Sequence, residues 1–211
     1  MIENLKPLYN ATLRPLARIF NAMGLHPNHI TLSGLLFFGI SGYFAGINRW
    51  KTALLLVIAG ALFDGLDGVL ARESGKKTTF GAILDSSCDR LTEIFLIAGL
   101  TVFYCKNPVH GYWGVFLCFS GICGSLMVSY VKARCEGVGI PCNRGILQRP
   151  ERIILLCFGL LLGPVVMFWI LLGLSVFTAL TVIQRLFEAA MQCNMLSEQL
   201  RSEQIKSASE R

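Results

Sequence analysis

Long runs without a charged residue alternate along the chain with short polar segments. Residues 30–48, 107–131 and 153–184 contain no Asp, Glu, Lys or Arg, and Gly163-Pro164 interrupts the last run. A membrane-spanning helix needs about 20 mainly apolar residues. The pattern therefore predicts an all-α integral membrane protein with six transmembrane helices, at about 29–48, 51–72, 80–105, 110–134, 147–163 and 166–190.

Two less apolar segments flank these helices. In residues 2–23, apolar residues recur at near-helical spacing with basic residues between them, which is typical of an amphipathic helix lying along the membrane surface. The polar segment 197–211 is expected to be mobile. The predicted organisation is a juxtamembrane amphipathic helix at 1–23, a six-helix domain at 24–192 and a polar C-terminal tail at 193–211.

Composition and charge support the membrane assignment and give it an orientation. Of the 211 residues, 54% are hydrophobic and only 15% are charged, whereas soluble domains average about 25% charged residues. With the N-terminus inside, sixteen of the 19 Lys and Arg residues face inward and only Arg49, Lys51 and Lys106 face outward. This bias predicts that both termini are cytoplasmic. The expected location is the cytoplasmic (inner) membrane of a prokaryote. It also accounts for the net charge of +6 without a nucleic-acid partner.

All four aspartates of the chain fall within residues 63–90, and apolar sequence typical of transmembrane helices lies on both sides of this segment. Asp64 and Asp67 are three residues apart and Asp85 and Asp89 are four apart, so each pair occupies one face of its helix. A short polar turn joins the two helices, so the pairs are expected to converge near the inner face. Four close carboxylates repel one another unless cations neutralise them. Oxygen ligands favour Mg²⁺ or Mn²⁺, and a two-ion site is typical of phosphoryl transfer.

Small residues and one arginine accompany the aspartates. Gly68, Ala71 and Gly81 would form a smooth face beside the carboxylates, and Arg72 could meet a phosphate. Together with the aspartates, these residues resemble the signature of the CDP-alcohol phosphotransferases without a gap or a substitution. The eight signature positions are Asp64, Asp67, Gly68, Ala71, Arg72, Gly81, Asp85 and Asp89.

The resemblance implies an enzyme in which a hydroxyl of a second alcohol attacks a CDP-linked lipid and CMP leaves. It implies that the four aspartates hold two Mg²⁺ or Mn²⁺ ions per active site, that Asp89 is also the general base, and that the protein is a homodimer. The donor would be CDP-diacylglycerol or an archaeal ether-lipid counterpart. Residues 26–31, HPNHIT, are similar to the start of the family's first helix. The implied CDP-binding residues are Asn28, Asp67, Gly68, Ala71, Arg72 and Gly81.

Basic residues after the fourth predicted helix bear on the acceptor. They lie on the same side of the membrane as the aspartates, and several sit at helix ends, where a side chain is held more firmly than in a loop. A basic pocket beside the metal site favours a phosphorylated acceptor over serine, which has no phosphate. The segment contains Lys132, Arg134, Arg144, Arg149 and Arg152, and Arg185 lies at the inner end of the last helix.

A narrower resemblance bears on the same acceptor. The stretches VKARCEGVG (131–139) and QRPER (148–152) are similar to those of phosphatidylinositol phosphate synthases, although Cys135 and Gln148 depart from that pattern. The resemblance implies myo-inositol 3-phosphate as acceptor, with glycerol 3-phosphate as the alternative. The implied contacts of the acceptor phosphate are Lys132, Arg149, Arg152 and Arg185.

Two alternative functions and one candidate contact between subunits also have to be considered. Carboxylates at membrane depth also suit a divalent-cation transporter, although these lie near one face and not at the midplane. A non-catalytic binder of CDP-lipids would keep the nucleotide site, but the intact base argues against it. The small residues of GICGS, 121–125, offer close packing between subunits of a homodimer.

Overall fold

The fold is known from a computed structural model, which describes residues 6–107, 110–142 and 145–209. Arg144 and the first residues of the predicted amphipathic segment, 2–5, lie outside these ranges. No strand occurs among the described residues, so the predicted all-α class is confirmed. The helices are α1 (Lys6–Ala22), α2 (Pro27–Gly46), α3 (Trp50–Glu73), α4 (Thr79–Cys105), α5 (Gly111–Gly137), α6 (Arg149–Leu162) and α7 (Pro164–Ser209).

The six predicted apolar helices correspond in order and position to α2 through α7, and the amphipathic segment corresponds to α1. The break in the long apolar run falls at Gly163, whose φ of 101° lies in the left-handed region that glycine adopts most easily. Pro164 then begins α7, a position that needs no backbone N–H. The Gly-Pro pair therefore ends one helix and starts the next.

Four of the helices are long and apolar enough to cross a membrane: α2, α3, α5 and the part of α7 at Pro164–Met195. Helix α4 is also long, but it contains four charged residues, Asp85, Asp89, Arg90 and Glu93. Helix α6 has only 14 residues. Length and composition thus make this an integral membrane protein with four candidate spans among the described residues.

The C-terminal end differs from expectation. Helix α7 continues for 46 residues, to Ser209, through most of the segment that was predicted to be mobile. Ten of its fifteen residues are Glu, Gln, Arg, Lys, Leu or Ala, which are good helix formers, and most of the others are serine. Because it extends an existing helix, it also avoids the cost of nucleating a new one.

Close backbone approaches hold the bundle together. Helix α2 packs against both α3 and α4. A Cβ at Gly99 of α4 would collide with the backbone of Gly42 of α2, so only glycine permits this crossing. On the other side of α4, the Tyr104 hydroxyl donates to the carbonyl oxygen of Pro164 at 2.8 Å. This bond ties α4 to the joint between α6 and α7.

The small residues of GICGS serve packing within the chain. A Cβ at Gly121 would lie 2.9 Å from the Leu174 side chain of α7, and one at Gly124 would collide with Thr178 of the same helix. The close packing expected of these glycines is thus found within one chain, between α5 and α7. They let α5 and α7 approach each other.

Helix α1 lies against the end of α3 that carries the aspartates. Its Leu13 and Ala17 are buried with Leu66 and Leu70 of α3. Glu73, at the end of α3, also forms exposed ion pairs with arginines of α1, at 3.4 and 3.9 Å. These contacts fix the end of α3 just beyond Asp67.

Candidate active site

Three of the four aspartates converge, as their helical spacing predicted. Asp64 comes from α3, and Asp85 and Asp89 from the facing stretch of α4. One carboxylate oxygen of each lies within 4.8 Å of the others. The short turn at 74–78 folds α4 back beside α3, and Thr78 caps α4 by accepting from the Gly81 N–H at 2.9 Å.

Asp67 stands beside this cluster and is held separately. It is 5% exposed, and its Oδ2 accepts a hydrogen bond from the Thr31 hydroxyl of α2. The expectation that all four carboxylates meet at one point is thus fulfilled for three of them. Asp67 is instead oriented by the Thr31 hydroxyl of α2.

Two cavities adjoin the aspartates. The first lies between α2, α3 and α4, and we call it the α2–α4 cavity. Its volume is about 550 Å³. Lys76 and Lys77 of the α3–α4 turn line it, together with Asp85. Every residue that the sequence assigned to CDP binding also lines it: Asn28, Asp67, Gly68, Ala71, Arg72 and Gly81.

The second cavity is enclosed by α4, α5, α6 and α7, and we call it the α4–α7 cavity. Its volume is about 370 Å³, and Asp89 forms part of its wall. The aspartate cluster therefore separates the two cavities, with Asp85 on one side and Asp89 on the other. The four residues assigned to the acceptor phosphate all line this cavity: Lys132, Arg149, Arg152 and Arg185.

Arg149 reaches from the α4–α7 cavity into the aspartate cluster. Its Nη1 and Nη2 donate to the two oxygens of Asp64 at 3.2 and 3.3 Å, and Nη1 lies 2.6 Å from Asp89 Oδ1. The start of α6 is fixed by a capping box, in which the backbone N–H of Gln148 donates to Glu151 at 2.7 Å. The sequence did not predict this pairing of Arg149 with the aspartates.

Arg152 and Arg185 are more deeply buried than Arg149. Arg152 is 1% exposed, and its Nε and Nη2 donate to the two oxygens of Glu93 at 2.7 and 2.9 Å. Its Nη1 donates to the Leu147 carbonyl at 3.3 Å. Arg185 donates to the carbonyl oxygen of Val128. Both arginines thus also bind the protein's own acceptor groups at the cavity wall.

Two residues that shape the site were not identified from the sequence. Glu93 lies four residues after Asp89, and this spacing placed it on the aspartate face of α4. Thr31 was visible in HPNHIT, but no sequence signal showed that its hydroxyl would meet Asp67. Glu93 could have been found by extending the helical face, whereas the bond from Thr31 depends on packing between α2 and α3.

The cluster has the chemistry of a hard-cation site. Its three carboxylates offer only oxygen ligands, which suit Mg²⁺ and Mn²⁺. Asp89 Oδ1 is buried and accepts no well-aligned hydrogen bond from any described residue, although Arg149 lies close to it. A buried carboxylate oxygen that no hydrogen bond saturates can coordinate a cation in place of its contact with Arg149. The residues present therefore fit such a cation.

The fold and the site together define an all-helical membrane enzyme with carboxylates between two polar cavities. The profile of the CDP-alcohol phosphatidyltransferase family matches residues 24–186. The chain belongs to this family and is an enzyme, which confirms the resemblance seen in the signature.

Relatives and solved structures agree with this assignment. The chain is 34% identical over 192 residues to an archaetidylinositol phosphate synthase of Methanothermobacter thermautotrophicus, covering 88% of this chain and 92% of that one. It is similar to the crystal structure of Mycobacterium tuberculosis phosphatidylinositol phosphate synthase with CDP-DAG bound, with a TM-score of 0.78, 29% identity and coverage of 84% and 92%. The same enzyme in complex with manganese and citrate gives the same score and identity, with coverage of 84% and 88%.

Proposed function

We propose that the protein transfers a phosphatidyl or related phospholipid group from a CDP-linked lipid to a hydroxyl of myo-inositol 3-phosphate. The products are phosphatidylinositol phosphate, or its archaeal ether-lipid equivalent, and CMP. One observation carries the proposal: the aspartate cluster lies between a cavity lined by the signature residues and a second cavity lined by four basic residues. A reaction between two phosphorylated substrates needs this arrangement.

In this proposal the α2–α4 cavity holds the CDP part of the donor. Gly68, Ala71 and Gly81 leave room for the nucleotide, and Asn28 contacts it. Arg72 lies where a guanidinium can pair with the diphosphate. The lipid tails, acyl or ether-linked, lie against the apolar helices in the membrane. A solved relative contains CDP-DAG, which supports this assignment.

The four aspartates would hold two Mg²⁺ or Mn²⁺ ions, and a relative's structure contains manganese. When bound, these ions neutralise the diphosphate and the developing charge on CMP. Asp89 lines the α4–α7 cavity and accepts the proton of the attacking acceptor hydroxyl. Asp67, fixed by Thr31, presents its carboxylate to the α2–α4 cavity.

The α4–α7 cavity would hold the acceptor, with its phosphate among Lys132, Arg149, Arg152 and Arg185. Its volume of about 370 Å³ falls in the usual range for small-molecule sites, about 300–1,000 Å³. Relatives named for inositol phosphate products favour inositol over glycerol in this position.

An acceptor panel tests this function. Purified protein with Mn²⁺ or Mg²⁺ and CDP-diacylglycerol should release CMP when myo-inositol 3-phosphate is added, and kcat/KM should be at least about ten-fold lower with glycerol 3-phosphate, a difference of about 1.4 kcal/mol. Free inositol, which lacks the phosphate, is the matched control and should give little CMP. Parallel reactions with a CDP-linked archaeal ether lipid identify the donor.

Two outcomes of this panel would contradict the proposal. A preference for glycerol 3-phosphate would replace the proposed acceptor but leave the enzyme class intact. Failure of every phosphorylated acceptor with both donors, while CDP still binds, would leave a non-catalytic CDP-lipid binder. Uptake of Mn²⁺ into liposomes by the protein, lost in Asp67→Ala, would favour a cation transporter.

We further propose that α2 to α7 all span the membrane, that α1 lies at its surface, and that the termini and both cavities face the cytoplasm. The charged residues of α4 are compatible with this depth because they pair with other helices, as Glu93 does with Arg152. The family resemblance also implies a homodimer, whose size in detergent can be measured by light scattering. Its contact could use the exposed aromatic side chains of α5, which include Tyr112 and Phe119.

Native cysteines test the orientation. In sealed vesicles with the cytoplasmic face outward, a membrane-impermeant maleimide should modify the exposed Cys193 of α7 but not Cys105 at the far end of α4. Vesicles of opposite orientation should give the reverse. Cys123 is exposed in the middle of α5 and serves as the control, because lipid should protect it in both preparations. Labelling of Cys105 and Cys193 from the same side would refute the six-span arrangement.

A further inference from the structure

Arg149 belongs to both halves of the site. It is one of the basic residues that line the α4–α7 cavity, yet its guanidinium contacts Asp64 and Asp89 of the aspartate cluster. It also lies 3.4 Å from the Thr92 hydroxyl of α4. Asp64 and Asp89 thus share Arg149 as an ion-pair partner. Arg149 is thus the described residue that connects the carboxylates with the cavity proposed for the acceptor.

The guanidinium uses the oxygens that a divalent cation would need. It engages both oxygens of Asp64 and the Oδ1 atom of Asp89. The positive charge offsets the mutual repulsion of the three clustered carboxylates. Since Arg149 and a cation would share these ligands, their binding to Asp64 and Asp89 is competitive.

The aspartates do not satisfy every hydrogen-bonding group of Arg149. Its contact with Asp89 is only 2.6 Å long, but Asp89 Oδ1 receives no well-aligned hydrogen bond from the described residues. The Nε atom of Arg149 is buried without a hydrogen-bond partner among them. Arg149 therefore keeps one unsatisfied donor despite its two hydrogen bonds to Asp64, and a partner that also reaches Nε would satisfy the guanidinium better.

Such a partner would lie in the α4–α7 cavity. The backbone of Arg149 is fixed at the start of α6 by the capping box of Gln148 and Glu151 and by Pro150. Only the side chain has to move, and the cavity that it already lines also contains Lys132. A phosphate there could accept two parallel N–H bonds from the guanidinium.

We propose that Arg149 links cation binding to acceptor binding. A cation at Asp64 and Asp89 releases the guanidinium into the α4–α7 cavity, where it binds the acceptor phosphate. By thermodynamic reciprocity, an acceptor phosphate that draws Arg149 away from the carboxylates raises the cation affinity by the same factor. This inference rests on the proposed metal and acceptor sites, and it adds a coupling between them that neither site has alone.

Equilibrium binding of Mn²⁺, followed by electron paramagnetic resonance of the full-length protein, tests the coupling without turnover. In the wild type, saturating myo-inositol 3-phosphate should tighten Mn²⁺ binding about ten-fold, within the usual range of coupling between sites. Arg149→Gln should bind Mn²⁺ about ten-fold more tightly than the wild type without acceptor, and the acceptor should no longer change its affinity. A protein-free titration corrects for Mn²⁺ bound by inositol phosphate in solution.

Lys132→Gln is the matched control for charge. It removes the same positive charge from the wall of the same cavity, but Lys132 pairs with Glu136 at 3.8 Å and with none of the aspartates. Its Mn²⁺ affinity without acceptor should stay within about two-fold of the wild type, because it does not compete for the ligands and its charge is screened. The melting temperature of each variant shows that it is folded.

The outcomes separate this inference from the proposed function. If Mn²⁺ binds the wild type but Arg149→Gln binds it equally or more weakly, the coupling is refuted while the metal site stands. An equal gain in Lys132→Gln would also refute it, since net charge alone would then explain the effect. If Mn²⁺ does not bind the wild type at all, while CDP-dependent chemistry is also absent, the proposed function itself fails.

Discussion

Replacing Asp89 with asparagine should lower the rate of CMP release by about 10³-fold or more, because it removes both a cation ligand and the proposed base. General-base catalysis alone contributes about 10²–10⁴-fold. Asparagine has the same shape, and its amide cannot take the acceptor proton or carry the negative charge that holds a cation. The loss should appear in kcat with saturating donor and acceptor, measured as CMP released per enzyme per second.

The fold should survive this change. Asp89→Asn removes one contact of Arg149, but it also removes one of three mutually repelling carboxylates. Mn²⁺ should raise the melting temperature of the wild type and raise that of the variant much less. Glu73→Gln, an acidic residue at the end of α3 that lines neither cavity, is the control and should keep its activity within a few-fold. Activity near the wild-type level in Asp89→Asn would refute the role of Asp89 as base.

Helical periodicity explains why the carboxylate cluster could be predicted. The spacing of Asp85 and Asp89 fixes their common face whatever surrounds α4, and the short turn after α3 forces the two helices to run side by side. The separate position of Asp67 could not be predicted in this way. It depends on the hydroxyl of Thr31, which comes from a third helix and lies 36 residues away in the chain.

The basic residues were predicted as a group, but their partners were not. Sequence placed Arg149, Arg152 and Arg185 on the inner side of the bundle, and all three line the α4–α7 cavity. Whether each one faces the cavity, a carboxylate or a backbone carbonyl depends on contacts among four helices. For Arg152, burial determines the partner, because a guanidinium removed from water needs a carboxylate such as that of Glu93 beside it.

The C-terminal end of α7 and the glycines of α5 show what composition alone leaves open. The tail was expected to be mobile because it is polar, but polar helix formers that follow an existing helix can extend it, as α7 does. Gly121 and Gly124 were assigned to a subunit contact because small residues favour close helix packing. That rule does not say which helix approaches, and here it is α7 of the same chain.

Glu93→Gln should destabilise the protein by about 3–5 kcal/mol, the usual cost of leaving one member of a buried ion pair without its partner. Arg152 and Glu93 are 1% and 4% exposed and form two hydrogen bonds, so the uncompensated guanidinium would remain out of water. The melting temperature in detergent should fall by about 10 °C, given about 2–4 °C per kcal/mol for chains of this size. Glu73→Gln, which breaks only exposed pairs with Arg14 and Arg18, is the control and should cost about 1 kcal/mol or less.

A double replacement separates the structural role of the pair from a role in acceptor binding. Glu93→Leu with Arg152→Met fills the same space with apolar atoms, and it should recover most of the stability lost in Glu93→Gln, since buried ion pairs are often replaced in this way at little cost. If Arg152 also binds the acceptor phosphate, the stable double variant should still have a KM for the acceptor raised about ten-fold or more, with the KM for the CDP-linked donor unchanged. An unchanged acceptor KM would show that Arg152 only holds α6 against α4 and would remove it from the proposed acceptor site.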